Sequence, residues 1–396
     1  MAAAPFPADP FPADPSSATL FPGDPPPTVR VSGPGDVAAA LPALIGFRPR
    51  ESLLVVGVRA GAPQRLGLTA RVDLPAPGVR SRVVEEVVRS LSTDQPVAVV
   101  VAVVSEDDDV RTAPVRPGRP EGVPVPELPH RDVVAECVRA FARVGVPVHL
   151  PLLVRRGHWW SYDCARPCCA PGAGTPLPAG TSELAAAAAL TGQVVEDDRA
   201  DLSRRIAPVG FLAAAGMAAA CDEVGSAMAV RSLVDGWDAV TVESVALVEE
   251  AVATMGRAGS ARLTDQQVAR LAWGLRELEV RDGALSFALG PTASAAEVLW
   301  TELTRRAPAP LDAAPATLLA VSAWVRGDGA MANVALERAL TSEPSYRLAG
   351  LLRTALDACV PPAEVRHLLA AVTGSALGPA GEGAAGTWPA GGRGDR

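Results

Sequence analysis

The run Val148-His149-Leu150-Pro151-Leu152-Leu153-Val154, the turn Arg155-Arg156-Gly157 and the run His158-Trp159-Trp160-Ser161-Tyr162-Asp163-Cys164, with Cys168-Cys169 just beyond, decide how this chain is read. Two short apolar runs about a glycine-bearing turn predict a strand pair. Half of the six cysteines follow it, so its far end is the densest chemistry in the sequence. Working back, residues 131–144 predict a helix, and residues 97–104 form the most strand-like segment, expected at the centre of a sheet.

Residues 79–91 have helical spacing, with Val83, Val84, Val87, Val88 and Leu91 inward. Residues 52–58 form a continuous apolar run, the pattern of a strand covered on both faces. Residues 66–74 alternate instead, placing Leu66, Leu68, Ala70, Val72 and Leu74 on one face and Thr69, Arg71 and Asp73 on the other. These two runs predict a hairpin about Gly61 and Pro63. Asp36 is expected to cap a helix over residues 37–44 that Gly46 ends, and residues 182–195 to form a helix closing this half. The order predicts an α/β domain with a mixed sheet and right-handed crossovers between parallel strands.

Beyond residue 201 no strand is expected. Residues 209–230, 240–255, 264–280, 294–305, 315–325, 328–340, 345–358 and 362–372 read as helices, with capping boxes at Thr264/Gln267 and Ser294/Glu297. Residues 316–344 fit a tetratricopeptide-like helix pair, with Leu319 and Ala320 in the first helix, Ala332, Leu336 and Ala339 in the second and Pro344 closing it. A solenoid needs about three such units, so a helical bundle is the simpler expectation. The predicted domains are a disordered proline-rich tail (1–28), the α/β domain (29–198), an all-α helical domain (199–373) and a disordered Gly/Ala-rich tail (374–396).

Composition bounds the function classes. The chain has 396 residues, a net charge of −8 and a pI near 5.2. That field repels polyanions, so neither nucleic acid nor an anionic membrane surface is an expected partner. All the basic residues are arginine and Asn occurs only at 333, a bias that fits a GC-rich genome and lowers the weight of any arginine cluster. No basic region or long apolar run opens the chain, and residues 206–221 are too short to span a bilayer, so a cytoplasmic location is expected. Reducing conditions there keep thiols free.

Four segments together resemble a known family: Gly46-Phe47-Arg48-Pro49-Arg50-Glu51-Ser52-Leu53, the strand Ala70-Arg71-Val72-Asp73-Leu74-Pro75, Trp160-Ser161-Tyr162-Asp163-Cys164 with Cys168-Cys169, and Ala323-Trp324 through Gly327-Asp328-Gly329-Ala330 with Ala335-Leu336. The resemblance is to the domain-of-unknown-function family 4192, typical of actinobacteria, over residues 29–373. It implies no activity and no catalytic residues.

Two constellations remain. Cys164, Cys168 and Cys169, with His158 as a fourth ligand, could close a zinc site, although adjacent cysteines suit one tetrahedral ion poorly. The same cysteines could form a redox disulfide, or pack as a metal-free structural turn, which is the expectation, with no cofactor. Arg48, Glu51, Arg71 and Asp73 could converge to bind an anionic small molecule, or could form a structural ion pair tying the Phe47 loop to the sheet. No phosphate-binding lysine and no Gly-x-Ser-x-Gly elbow appear. The leading expectation is a non-catalytic interaction or regulatory protein with a protein partner on the helical half. The alternative is a small-molecule enzyme or binding protein with one site between the Arg71/Asp73 strand and the cysteine turn.

Overall fold

The computed structural model describes residues 33–61, 65–112, 125–180, 182, 185–186, 194–258 and 262–373. The expectations for both tails and for most of the helix at 182–195 lie outside the described residues.

Strands β1 (Ser52–Arg59), β2 (Arg65–Asp73), β3 (Ala98–Val104), β6 (Val148–Arg155), β7 (His158–Ser161) and β8 (Thr175–Pro176) form one sheet in the order β2-β1-β3-β6-β7-β8. Two three-residue strands, β4 (Val110–Thr112) and β5 (Val125–Glu127), pair separately. Among the described strand pairs of this sheet only β3 and β6 are parallel. A parallel neighbour cannot be reached by a tight turn, and the crossover between them carries α3 (Arg131–Arg143). The sheet is therefore mixed, with β3 in its interior as expected.

The period of two sorts β1 and β3 onto two cores. Leu53, Val55, Val99, Val101 and Val103 meet α2 (Arg80–Ser92) and α3 through Val84, Val87, Leu91, Val133 and Phe141. Leu54, Val56, Val100 and Ala102 face the other way, toward α1 (Pro34–Ile45). This is why both strands read as unbroken apolar runs. The alternation expected of β2 breaks at Leu66. Val56 pairs with Thr69 but Val58 with Leu66, so β2 holds one extra residue. The bulge flips Leu66 onto the α1 side, away from Leu68, Ala70, Val72 and Leu74. Asp94 fills the kink, accepting from the Leu68 amide at 2.9 Å. Helix α1 also starts earlier than expected, with Pro34 in its first turn and Asp36 inside it rather than capping it.

The helical half comprises α4 (Arg199–Arg205), α5 (Phe211–Asp235), α6 (Trp237–Ala258), α7 (Asp265–Gly274), α8 (Leu278–Ala284), α9 (Ala293–Arg306), α10 (Ala313–Arg326), α11 (Gly329–Ser342), α12 (Arg347–Asp357) and α13 (Pro362–Thr373). The helix expected over residues 264–280 is two, because α7 ends at Gly274, whose bare Cα lies against Ser244 of α6. The Thr264/Gln267 capping box forms. The Ser294/Glu297 box does not, since α9 begins at Ala293 and Glu297 turns to Arg326. A box the sequence reading missed, Asp198 with Asp201, opens α4. The tetratricopeptide-like segment is the pair α10 and α11, but α10 has 13 buried residues out of 14. A helix buried on every side is the centre of a bundle.

The halves share a core. One continuous cluster of buried residues runs from Val37 through the α1 face of the sheet to Val365. The connection is fixed by the Phe47/Glu196 bridge, by Arg48 N–H donating to the Glu196 carbonyl at 2.9 Å, and by buried Leu202 and Ile206. Three tryptophans of the helical half sit at helix contacts: Trp300 is fully buried, Trp273 donates to the Cys221 carbonyl and Trp324 to that of Val360. Trp237 departs from this and is 54% exposed. Among the described residues no helix is long and apolar enough to cross a membrane.

Candidate functional site

The carboxyl ends of β3 and β6 lie side by side, and because β1 runs antiparallel to β3, the residue before β1 joins them. Open sheets with a parallel pair bind ligands at this edge. Here it gathers Glu51, Ser105, Asp107, His130 and Arg155. Glu51 (φ 39°) and His130 (φ 56°) both hold left-handed backbone, which is costly for side chains of their size.

The buried Ser105 is the hub. Its hydroxyl donates to Glu51 Oε2 at 2.8 Å and accepts from the Asp107 amide at 3.1 Å. The Glu106 amide donates to Glu51 Oε1 at 2.8 Å. His130 Nε2 lies 3.1 Å from Ser105 Oγ and 3.1 Å from Asp107 Oδ2. Arg155 binds Asp109 at 2.9 Å, donates to the Asp107 carbonyl at 2.7 Å and lies 4.8 Å over the Trp160 ring. A cation stacked and ion-paired in this way is held in place.

This is not a nucleophilic triad. Such a triad needs serine and carboxylate on opposite ring nitrogens, so that the base is oriented while it takes the proton. Ser105 and Asp107 share Nε2, and the serine proton already points at a carboxylate. With Ser105 only 1% exposed, no substrate carbonyl reaches it. Ligand atoms of Glu51, Asp107 and His130 do lie within 4.8 Å of one another, a set that could hold a divalent cation.

The four residues singled out near the first hairpin do not converge. Arg71 binds Asp73 at 2.6 Å, donates to Ser52 Oγ at 2.9 Å and lies 5.8 Å from the Phe47 ring centroid, so it ties the Phe47 loop to the sheet. Arg48 pairs with Asp197 at 3.5 Å, and Glu51 faces the Ser105 hub. Nor do Arg71/Asp73 and the cysteine turn form one site. Strand β2 is one edge of the sheet and β7 and β8 are at the other. At about 4.8 Å per strand, β2 and β7 are roughly 19 Å apart.

The cysteines do converge. A 3-10 turn, Pro167–Cys169, brings both adjacent thiols round to Cys164, and the three Sγ atoms lie within 4.8 Å of one another. Cys168 and Cys169 Sγ are 4.0 Å apart. Cys169 is buried, its Sγ accepts from the Ser161 amide, and burial pushes its thiol up to about 11. Cys164 is drawn below the ordinary thiol range, first by the Arg166 backbone amide and then by the neighbouring thiols. The loop closes through Gly174, at φ 86°, where a Cβ would sit 2.4 Å from the Trp160 ring. His158 stands apart, its Nδ1 facing the Arg156 carbonyl at 3.0 Å. All six cysteines are free thiols.

Ser105, Asp107, His130 and Arg155 were missed in the sequence because 25 residues separate Ser105 from His130. The available signal was a serine and an acidic run directly after the central strand, where an open sheet places its ligands. A family model described as Domain of unknown function (DUF4192) matches residues 34–363. No curated protein and no solved structure matches the chain.

Proposed function

Because the chain belongs to the domain-of-unknown-function family DUF4192, a description that carries no reaction, we propose from its own side chains a cytoplasmic, non-catalytic regulatory or interaction protein whose cysteine turn takes one zinc ion. The observation that carries this is the convergence of Cys164, Cys168 and Cys169. Thiolates at 2.3 Å from a tetrahedral zinc lie roughly 3.8 Å apart, close to what the turn already provides. Three thiolates more than neutralise the ion and make it a weak Lewis acid, which suits a structural or sensing role. The hub at the sheet edge supports the non-catalytic half of the reading, since its serine and histidine are committed to carboxylates.

Elemental analysis with thiol counting on protein purified without added metal is the test. One zinc per chain, with three thiols that become reactive only after chelation, is the expected result. A metal-free chain that also fails to take up added zinc leaves the turn a packing element and removes the zinc reading.

The same proposal places a protein partner on the helical half, where Phe211, Leu212, Leu233 and Val234 of α5 stand exposed. Deleting residues 201–373 would tear the shared core, so the test uses Phe211→Glu and Leu233→Glu in the full chain. Loss of a co-purifying protein in both variants supports the partner face. Unchanged capture counts against it.

A further inference from the structure

A cavity of about 780 Å³ lies in the helical half, walled by α4, α5, α6, α9 and α10 and far from the thiol turn in sequence. Its size suits a small metabolite. Five arginines line it, Arg205, Arg262, Arg305, Arg306 and Arg326, against three carboxylates, Asp265, Glu297 and Glu302. Three of the arginines are occupied. Arg306 pairs with Asp265 and Glu302, Arg326 with Glu297 and Asp328, and Arg205 approaches Glu196 at 3.7 Å. Arg262 and Arg305 have no acidic partner among the described residues.

An arginine-only composition explains why these cations are arginines. It does not explain two arginines in one concavity with no acid among the described residues, in a chain whose net charge is −8 and where most other arginines in the helical half find an acid. The rest of the wall is Ser294 and Thr301 with the apolar Val209, Ala213, Met217, Met255 and Val298. Met217 and Met255 are buried, and methionines adapt their shape to what they contact.

We propose that this cavity binds a small anion carried on an apolar body, its phosphate or carboxylate held by Arg262 and Arg305 and its body laid on the methionine wall. Planar guanidinium groups suit such oxyanions, and the carboxylates that hold Arg306 and Arg326 keep the remaining cations from collapsing into the space. The site is independent of the cysteine turn, so failure of either reading leaves the other standing.

Isothermal titration of the full chain with phenyl phosphate and with octanoate tests this, with octanol and inorganic phosphate as controls. At least one amphiphilic anion is expected to saturate one site per chain and to bind more tightly than either control. Arg262→Gln/Arg305→Gln should weaken it by at least about tenfold, the least expected for losing a charge-assisted hydrogen bond. Both side chains are exposed, and an unchanged melting temperature without ligand will show that the variant folds. Octanol binding as tightly as octanoate, equal binding by the double variant, or no binding of either anion would each overturn the proposal.

Discussion

Helices α5 and α10 are both rich in alanine and aliphatic residues, yet they live in opposite surroundings. Helix α10 has 13 buried residues out of 14, whereas α5 buries only Met217, Ala220, Cys221 and Val224 of its 25. Composition is nearly shared, so neighbours make the difference. Helix α10 is enclosed by α9, α11 and α13. Helix α5 lies against α6 and α7 on one side, and its Phe211, Leu212, Leu233 and Val234 are each more than three-quarters exposed. The contrast teaches that an apolar helix is a statement about what should cover it. In one case the chain supplies the cover, and in the other we propose that a partner does.

The strongest way to break the closed side of this contrast is at its polar pin. Asp312, wholly buried before α10, holds Arg338 of α11 at 2.5 Å and also binds Ser342. Asp312→Ala leaves Arg338 without its acid and is expected to cost about 3–5 kcal/mol in chemical denaturation. A loss below about 1 kcal/mol would show that the pin is idle.

A matched pair sharpens the comparison directly. Leu319→Ala in α10 empties a fully enclosed site and should cost about 2–5 kcal/mol, whereas Leu233→Ala in α5, at 87% exposure, should stay within about 0.5 kcal/mol. Equal costs would mean that α5 is covered in solution by something the isolated chain supplies.

The same closed-against-open test applies within the cysteine turn. Cys169→Ser puts a hydroxyl in a buried thiol site and is expected to lower stability by about 1–3 kcal/mol, with Cys168→Ser well below that. In metal-free protein near pH 7, iodoacetamide should label Cys164 faster than Cys169 by at least about tenfold, because a lowered pKa enlarges the thiolate fraction and a raised one nearly abolishes it. Equal labelling rates would contradict the arrangement.

The smallest effect concerns the connection. Limited proteolysis should spare residues 196–208, whose Leu202 and Ile206 are buried, until the shared core opens. An early cut there that released two folded halves would dissolve the single core.

Much of this architecture was legible because its causes are local. The valines of β1 and β3 and the spacing in α2 and α3 announce burial on two faces or one, and Thr264 with Gln267 announces a helix start. What stayed hidden depends on partners distant in sequence. The β2 bulge is set by Asp94 and the pairing with β1, so Leu66 changes face with no mark in its own neighbourhood. Strand order is not written in either strand, which is why Arg71 and the cysteine turn, separated by most of the sheet, could be read as neighbours. The three cysteines were identified as a group, but only the 3-10 turn shows that adjacent residues both reach Cys164. Cavity residues Arg262 and Arg305 gave no local signal at all.

The unbroken cluster from Val37 to Val365 also sets a timetable for synthesis. Strand β6 leaves the ribosome long before α13 exists, and at roughly 5–20 residues per second the half-built sheet waits roughly 10 to 40 seconds for the last of its cover. Throughout that interval the part of this cluster that α1 does not cover belongs to a surface rather than an interior. A ribosome stall within the helical half is therefore expected to leave an aggregation-prone fragment rather than a smaller working protein.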